Sequence, residues 1–223
     1  MTVHLRLLRP DDAAQVLAWR NSESVAPYMY SDHKIGPQEH QDWLSSVLKA
    51  SDRFYWIIEV ENEAVGLANV TDIDEDYSRC DWAYYLASPT TRNRGVGACV
   101  EYLILRFVFD ALRLNKLWCE VFRENARVWA LHESFGFRRE AELRDHVRKD
   151  GAFRDVVGLG LLKSDWPEVK ARAESRFEAK GLDWRAMSLV DPRDFSVATA
   201  GCEPGWKLAS RSGRAPPQHV PRP

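Results

Sequence analysis

Apolar and polar positions change their period several times along the chain, and each change marks an element. Residues 4–8 alternate as a strand does, and Pro10, Asp11 and Asp12 then open a helix. That helix carries Val16, Leu17, Trp19 and Arg20 and stops at Asn21 and Ser22. Residues 28–36 are irregular and rich in tyrosine and histidine. Pro37 suits the first turn of a second helix, whose apolar stripe of Trp43, Leu44, Val47 and Leu48 recurs at helical spacing. The period then falls to two, so 54–60 and 64–70 read as a hairpin around Glu61, Asn62 and Glu63. A further strand, 79–87, ends at Ser88 and Pro89.

Past Gly95 and Gly97 an apolar helix over 99–112 carries Leu103, Leu105, Phe107 and Val108. A strand over 117–122 follows, then a helix over 126–135 closed by Gly136. Two strands, 137–143 and 156–162, are joined across a turn at Lys149, Asp150 and Gly151. The order predicts an α/β fold of the α+β type, with a mixed, largely antiparallel sheet and flanking helices. Residues 1–165 form the expected domain. Residues 166–200 read as a charged extension with a surface helix over 168–180. The stretch 201–223 holds five of the eleven prolines and four Lys/Arg against one Glu, the composition of a disordered tail.

Composition narrows the function classes. With 45% hydrophobic and 29% charged residues in 223, a core can be buried. A formal net charge of −2 gives no electrostatic footprint for nucleic acid or an acidic membrane surface. No apolar run approaches the ~20 residues of a membrane span, and His4, Arg6 and Arg9 interrupt the start, so no signal peptide is read. Cys80, Cys99, Cys119 and Cys202 are too far apart for a disulfide scaffold or structural zinc, and the histidines lack metal-ligand spacing. A reduced, cytoplasmic protein without a metal is expected.

The sharpest local signal is Arg92-Asn93-Arg94-Gly95-Val96-Gly97-Ala98, between a strand and a helix. Glycines let consecutive backbone N–H groups face one anion, and the helix start adds partial positive charge. Arg92 and Arg94 add more. The same run also serves as a plain turn. It is not a Walker A motif, and it lacks the third glycine of a dinucleotide fingerprint. A second element follows at the right distance: Asn125, Leu131, His132, Gly136 and Phe137 on a strand–helix–strand unit.

Together the two elements resemble the Gcn5-related N-acetyltransferase superfamily over roughly residues 3–165. The resemblance implies the acyl-CoA N-acyltransferase fold and acetyl-CoA as donor. It also implies cofactor contacts from Leu86, Ala87, Arg92, Arg94, Gly95, Val96, Gly97, Ala98 and Asn125. In the superfamily a Tyr commonly sits where His132 sits and protonates the departing thiolate, so His132 is the implied acid. The runs Trp19-Arg20-Asn21, Tyr28 to His33, Glu39-His40, Asn69 to Ile73 and Lys149-Asp150-Gly151 look like one branch of it. That branch comprises the UDP-4-amino-4,6-dideoxy-N-acetyl-β-L-altrosamine N-acetyltransferases of pseudaminic acid biosynthesis in flagellin glycosylation. The implied partner is a small nucleotide sugar, and a homodimer is compatible with it.

Acetyl transfer to an amine requires the neutral amine, so a carboxylate must take a proton. Glu120 and Asp81 lie on strands bordering the expected site. Apolar Cys119 and Val121 flank Glu120 and are expected to raise its pKa; the alternative is an edge carboxylate paired with Arg123 or Lys116. His132 is read either as the acid or as a satisfied structural histidine. Arg20, His33 and His40 are read as phosphate donors, with Asn21, Tyr30, Thr71, Asp72 and Tyr85 as further acceptor contacts. Protein N-terminal or polyamine acetylation on the same fold, or a non-catalytic acyl-CoA sensor, are the competing functions.

Overall fold

A computed structural model describes residues 1–194. Its strands are β1 (Val3–Leu7), β2 (Phe54–Val60), β3 (Glu63–Asp74), β4 (Arg79–Leu86), β5 (Lys116–Phe122), β6 (Arg138–Lys149), β7 (Ala152–Leu162) and β8 (Ser188–Leu189). The helices are α1 (Ala13–Arg20), α2 (Pro37–Val47), α3 (Val96–Arg106), α4 (Ala126–Ser134) and α5 (Trp166–Ala179). One eight-stranded sheet runs in the order β6-β7-β5-β4-β3-β2-β1-β8. Only β4–β5 and β1–β8 pair in parallel, so the sheet is mixed and largely antiparallel, as expected from the order of elements.

The sheet carries apolar layers on both faces. On one face α3 and α5 bury Val100, Ile104, Val169 and Phe177 against Leu5, Trp56, Ile58 and Leu117. On the other, Val16 of α1 with Leu44 and Val47 of α2 covers Ile57 and Leu67. Alternation along β2 explains the split: Trp56 and Ile58 point to one layer, Ile57 to the other. Residues 166–189, set apart from the 1–165 unit by their charge, pack into the same core through Trp166, Val169, Ala173, Phe177 and Met187. Charged residues fill the other faces of α5 and hide an apolar stripe of four. The tail expected at 201–223 lies outside the described residues.

The last hairpin is longer than the apolar pattern suggests. Asp150 and Gly151 both take positive φ, 50° and 76°, which makes a two-residue turn that keeps the ladder closed up to Lys149 and Ala152. The charged residues between 144 and 155 mask the alternation there. No helix among the described residues is long and apolar enough to cross a membrane.

Candidate active site

Strands β4 and β5 pair over only three positions, Arg79–Lys116, Cys80–Leu117 and Asp81–Trp118. Beyond them the strands part, and a cleft of about 810 Å³ opens between residues 82–86 and 119–122. Leu86, Ala87, Arg92, Gly95, Val96, Gly97, Ala98 and Asn125 all line it, together with Glu120, His132, Tyr30 and Tyr85. Arg94 is exposed and is not among the lining residues. The Asn125 side chain, at the start of α4, makes no capping bond and is left to the cleft.

Two glycines shape the start of α3, each for its own reason. Gly95 takes φ +78° as the N-cap of α3, a conformation that L side chains rarely adopt. Gly97 is required for a different reason: a Cβ there would lie 2.8 Å from the Tyr84 hydroxyl and 3.3 Å from Leu131 Cδ2. The α3 N-terminus therefore faces the cleft with bare backbone.

His132 is 3% exposed, and its Nδ1 lies 3.1 Å from Oε1 of Glu101, which has no exposure at all. Burial disfavours the imidazolium, but the Glu101 carboxylate and the Cys119 thiol outweigh it and push His132 up to about 10. Burial likewise raises Glu101, against the pull of His132. The pair thus keeps its shared proton through neutral pH. His132 is one half of a buried pair with Glu101, and of the two only His132 lines the cleft. Glu101 was passed over in the sequence, although a single carboxylate inside the run 98–105, otherwise apolar, is a visible signal.

Glu120 is exposed to the cleft and accepts a 2.7 Å hydrogen bond from the Tyr30 hydroxyl. The expectation of an apolar setting for it fails on strand geometry. Cys119 and Val121 point into the α3 layer, whereas Glu120 lies on the opposite face of β5. The pairings considered as the alternative fail too, since Arg123 bonds Asp155 and Lys116 bonds Glu140. Asp81, the other carboxylate candidate, is pushed up to about 6 by burial and by the charges of Asp72 and Glu120.

Tyr30 is held in place by a clamp. Ser31 gives its hydroxyl oxygen to Arg20 Nη2 at 2.5 Å and its carbonyl to Lys149 Nζ at 2.9 Å. Asp32 accepts from the Asp150 N–H, so the tip of the β6–β7 hairpin docks on the loop that carries Tyr30.

The remaining acceptor candidates separate. Arg20, His40 and Tyr85 meet in a second pocket beside the cleft. Asn21, His33, Thr71 and Asp72 line neither space. Asn21 is structural: its amide exchanges two bonds with the Ile35 backbone, at 2.9 and 2.8 Å, closing the loop after α1. His33 is an exposed partner of Glu39, which also accepts from the Gly36 N–H at the start of α2. Thr71 pairs with Asp81 across the ladder, and Asp72 sits at a register shift with φ 50°.

Residues 2–138 match the family described as Acetyltransferase (GNAT) domain. The chain belongs to the GNAT acetyltransferase family. Spermidine N(1)-acetyltransferase of Escherichia coli K12 is 22% identical over 165 residues, covering 74% of this chain and 88% of that protein. Acetyltransferase PseH of Campylobacter jejuni is 23% identical over 138 residues, covering 62% and 84%. The structure of spermidine N-acetyltransferase from Vibrio cholerae in complex with CoA and spermine superposes with a TM-score of 0.69 at 19% identity, covering 74% and 98%. That likeness fixes the fold.

Two cations of this GNAT cleft escaped the sequence reading. Arg127 of α4 lines it and donates to Asn93 at 2.8 Å, and Lys180 reaches it from the end of α5. Arg127 stands two residues after Asn125 and was open to notice. Nothing local marks Lys180, which arrives by the packing of α5.

Proposed function

We propose that this N-acetyltransferase takes acetyl-CoA as donor and a UDP-linked amino-dideoxy sugar as acceptor, with the 4-amino group acetylated. The observation that carries the acceptor class is Arg20. It is half-buried in the pocket beside the cleft, and Glu39, the carboxylate on the same wall, is bound to His33. A cationic polyamine entering there meets a cation, whereas a diphosphate gains a fork of donors. The likeness of residues 28–33 and 69–73 to the pseudaminic acid branch points the same way.

The residues fit a CoA pyrophosphate. Gly95 and Gly97 bring no side chain to the loop and Val96 is buried in the core, while Arg92, Arg127 and Lys180 rim the same cleft. In the transfer, Glu120 takes the proton of the attacking amine, and the amine nitrogen bonds to the thioester carbonyl carbon. The C–S bond then breaks, and His132 gives its proton to the departing sulfur. Tyr30 holds Glu120 in place, and Glu101 keeps the proton on His132 available at neutral pH.

A second reading rests on its own observation. Glu120 lines the cleft, and after burial its charge and that of Asp72 raise Asp81 on the neighbouring strand; carboxylates at and beside the cleft suit a polyamine. Thiol release from acetyl-CoA with a UDP-amino-sugar, with spermidine and with neither acceptor separates the readings. Turnover with the sugar alone is expected. Turnover with spermidine alone would replace it, and none with either would favour the non-catalytic sensor.

The cofactor loop is tested by Gly97→Val. The added branch must displace the Tyr84 hydroxyl and Leu131 from the cleft wall. With that wall displaced, acetyl-CoA affinity is expected to fall by about tenfold or more in calorimetric titration, about 1.4 kcal/mol per tenfold. Unchanged affinity in the folded variant would remove the loop from the site.

A further inference from the structure

Beside the main cleft, a pocket of about 290 Å³ lies between α1, α2 and the sheet. Met29, Ala83, Tyr84 and Tyr85 line both spaces, so an occupant of the pocket shares a wall with the reaction site. Val16, Ile35 and Leu67 make much of the lining apolar. Against it stand three polar groups that the fold leaves unused. His40 is 5% exposed, yet its Nε2 has no partner. The Tyr85 hydroxyl is buried and also unpartnered. Arg20 spends one nitrogen on Ser31 Oγ and keeps the rest of its fork. An unsatisfied buried polar group is costly to keep, and two in one pocket are what a ligand would relieve.

The three groups have definite roles. Burial holds the His40 imidazole neutral, and the Ala13 carbonyl engages its other ring nitrogen, so Nε2 offers a lone pair. Burial keeps the Tyr85 phenol protonated, so it donates. Arg20 presents a cationic fork. The complement is a compact ring with a hydroxyl, an oxygen acceptor, an anionic substituent and an apolar edge.

Resting on the nucleotide-sugar reading, we propose that this pocket holds the pyranose ring of the acceptor. A ring hydroxyl donates to His40 Nε2, and Tyr85 donates to an acetamido or hydroxyl oxygen. The anomeric phosphate lies at Arg20, and the deoxy carbon faces Val16, Ile35 and Leu67. The wall shared with the cleft makes this the reacting ring and not the distant nucleobase. His40 and Tyr85 are then the residues that read the sugar.

UDP-N-acetylglucosamine has no free amine and binds without reacting, so it probes the pocket independently of turnover. Calorimetric titration of the full-length protein is expected to show it binding at least tenfold more tightly than UDP. Tyr85→Phe and His40→Leu should each weaken it about three- to tenfold, the worth of one hydrogen bond, and leave UDP affinity unchanged. The thermal midpoint of ligand-free Tyr85→Phe should not fall, because the hydroxyl removed has no partner in the fold. Equal affinity for UDP and UDP-N-acetylglucosamine, or wild-type binding by both variants, overturns the ring assignment and leaves the nucleotide-sugar reading intact. Binding of spermidine with no binding of either nucleotide overturns both.

Discussion

Replacing His132 by Phe is expected to lower kcat by about 10²–10⁴-fold, the usual worth of a general acid, with acetyl-CoA affinity much less affected. In the wild type kcat should hold through neutral pH and fall as pH rises through about 10, where the imidazolium that Glu101 stabilises is lost. Glu101→Gln tests the cause. It removes the carboxylate that, together with the Cys119 thiol, outweighs burial, so the alkaline limb moves to lower pH. Glu101 is fully buried and acts only through His132, as a positioning residue.

Stability needs a separate control. His132→Phe leaves the Glu101 carboxylate in the core without its partner, and breaking a buried pair costs about 3–5 kcal/mol. The double variant Glu101→Leu, His132→Phe removes both charges, and its thermal midpoint should recover while its rate does not. A folded His132→Phe with wild-type kcat and an unchanged pH profile would reject His132 as the acid.

Glu120→Gln should lower kcat more than about tenfold, since it keeps the shape of the site but cannot accept a proton. Acetyl-CoA affinity should stay close to wild type, because the glycine loop is untouched. The change should also reach Asp81. In the wild type Asp81 takes up a proton as pH falls through about 6, partly because Glu120 repels its charge. Without that charge the ionised form of Asp81 is favoured and its pKa falls. Tyr30→Phe removes the hydrogen bond to Glu120 but not its basicity, so a smaller loss is expected. Wild-type turnover by Glu120→Gln would move the proton acceptance elsewhere, with Asp81→Asn as the next variant to measure.

The sequence by itself determined what depends on neighbours along the chain. Periods of two and 3.6 placed the strands and helices, and the turn residues of two of the hairpins, Glu61-Asn62 and Asp150-Gly151, marked where the chain reverses. The glycine loop and Asn125 stood out as candidates because each marks the start of a helix, a local feature, whereas the fold decided that both line one cleft. The tertiary structure alone decided which side chains meet. Tyr30 reaches Glu120 across 90 residues, His132 finds Glu101 across 31, and Lys149 grips Ser31 across 118. No local pattern encodes such partners, because they follow from how two helical layers stack on a splayed sheet. The same stacking set electrostatics against sequence proximity. Strand alternation turned Cys119 and Val121 away from Glu120, and burial raised Asp81 on the neighbouring strand. It also gave Asn21 to the Ile35 backbone and His33 to Glu39, while Arg20, His40 and Tyr85 converged from two helices and a strand on one pocket.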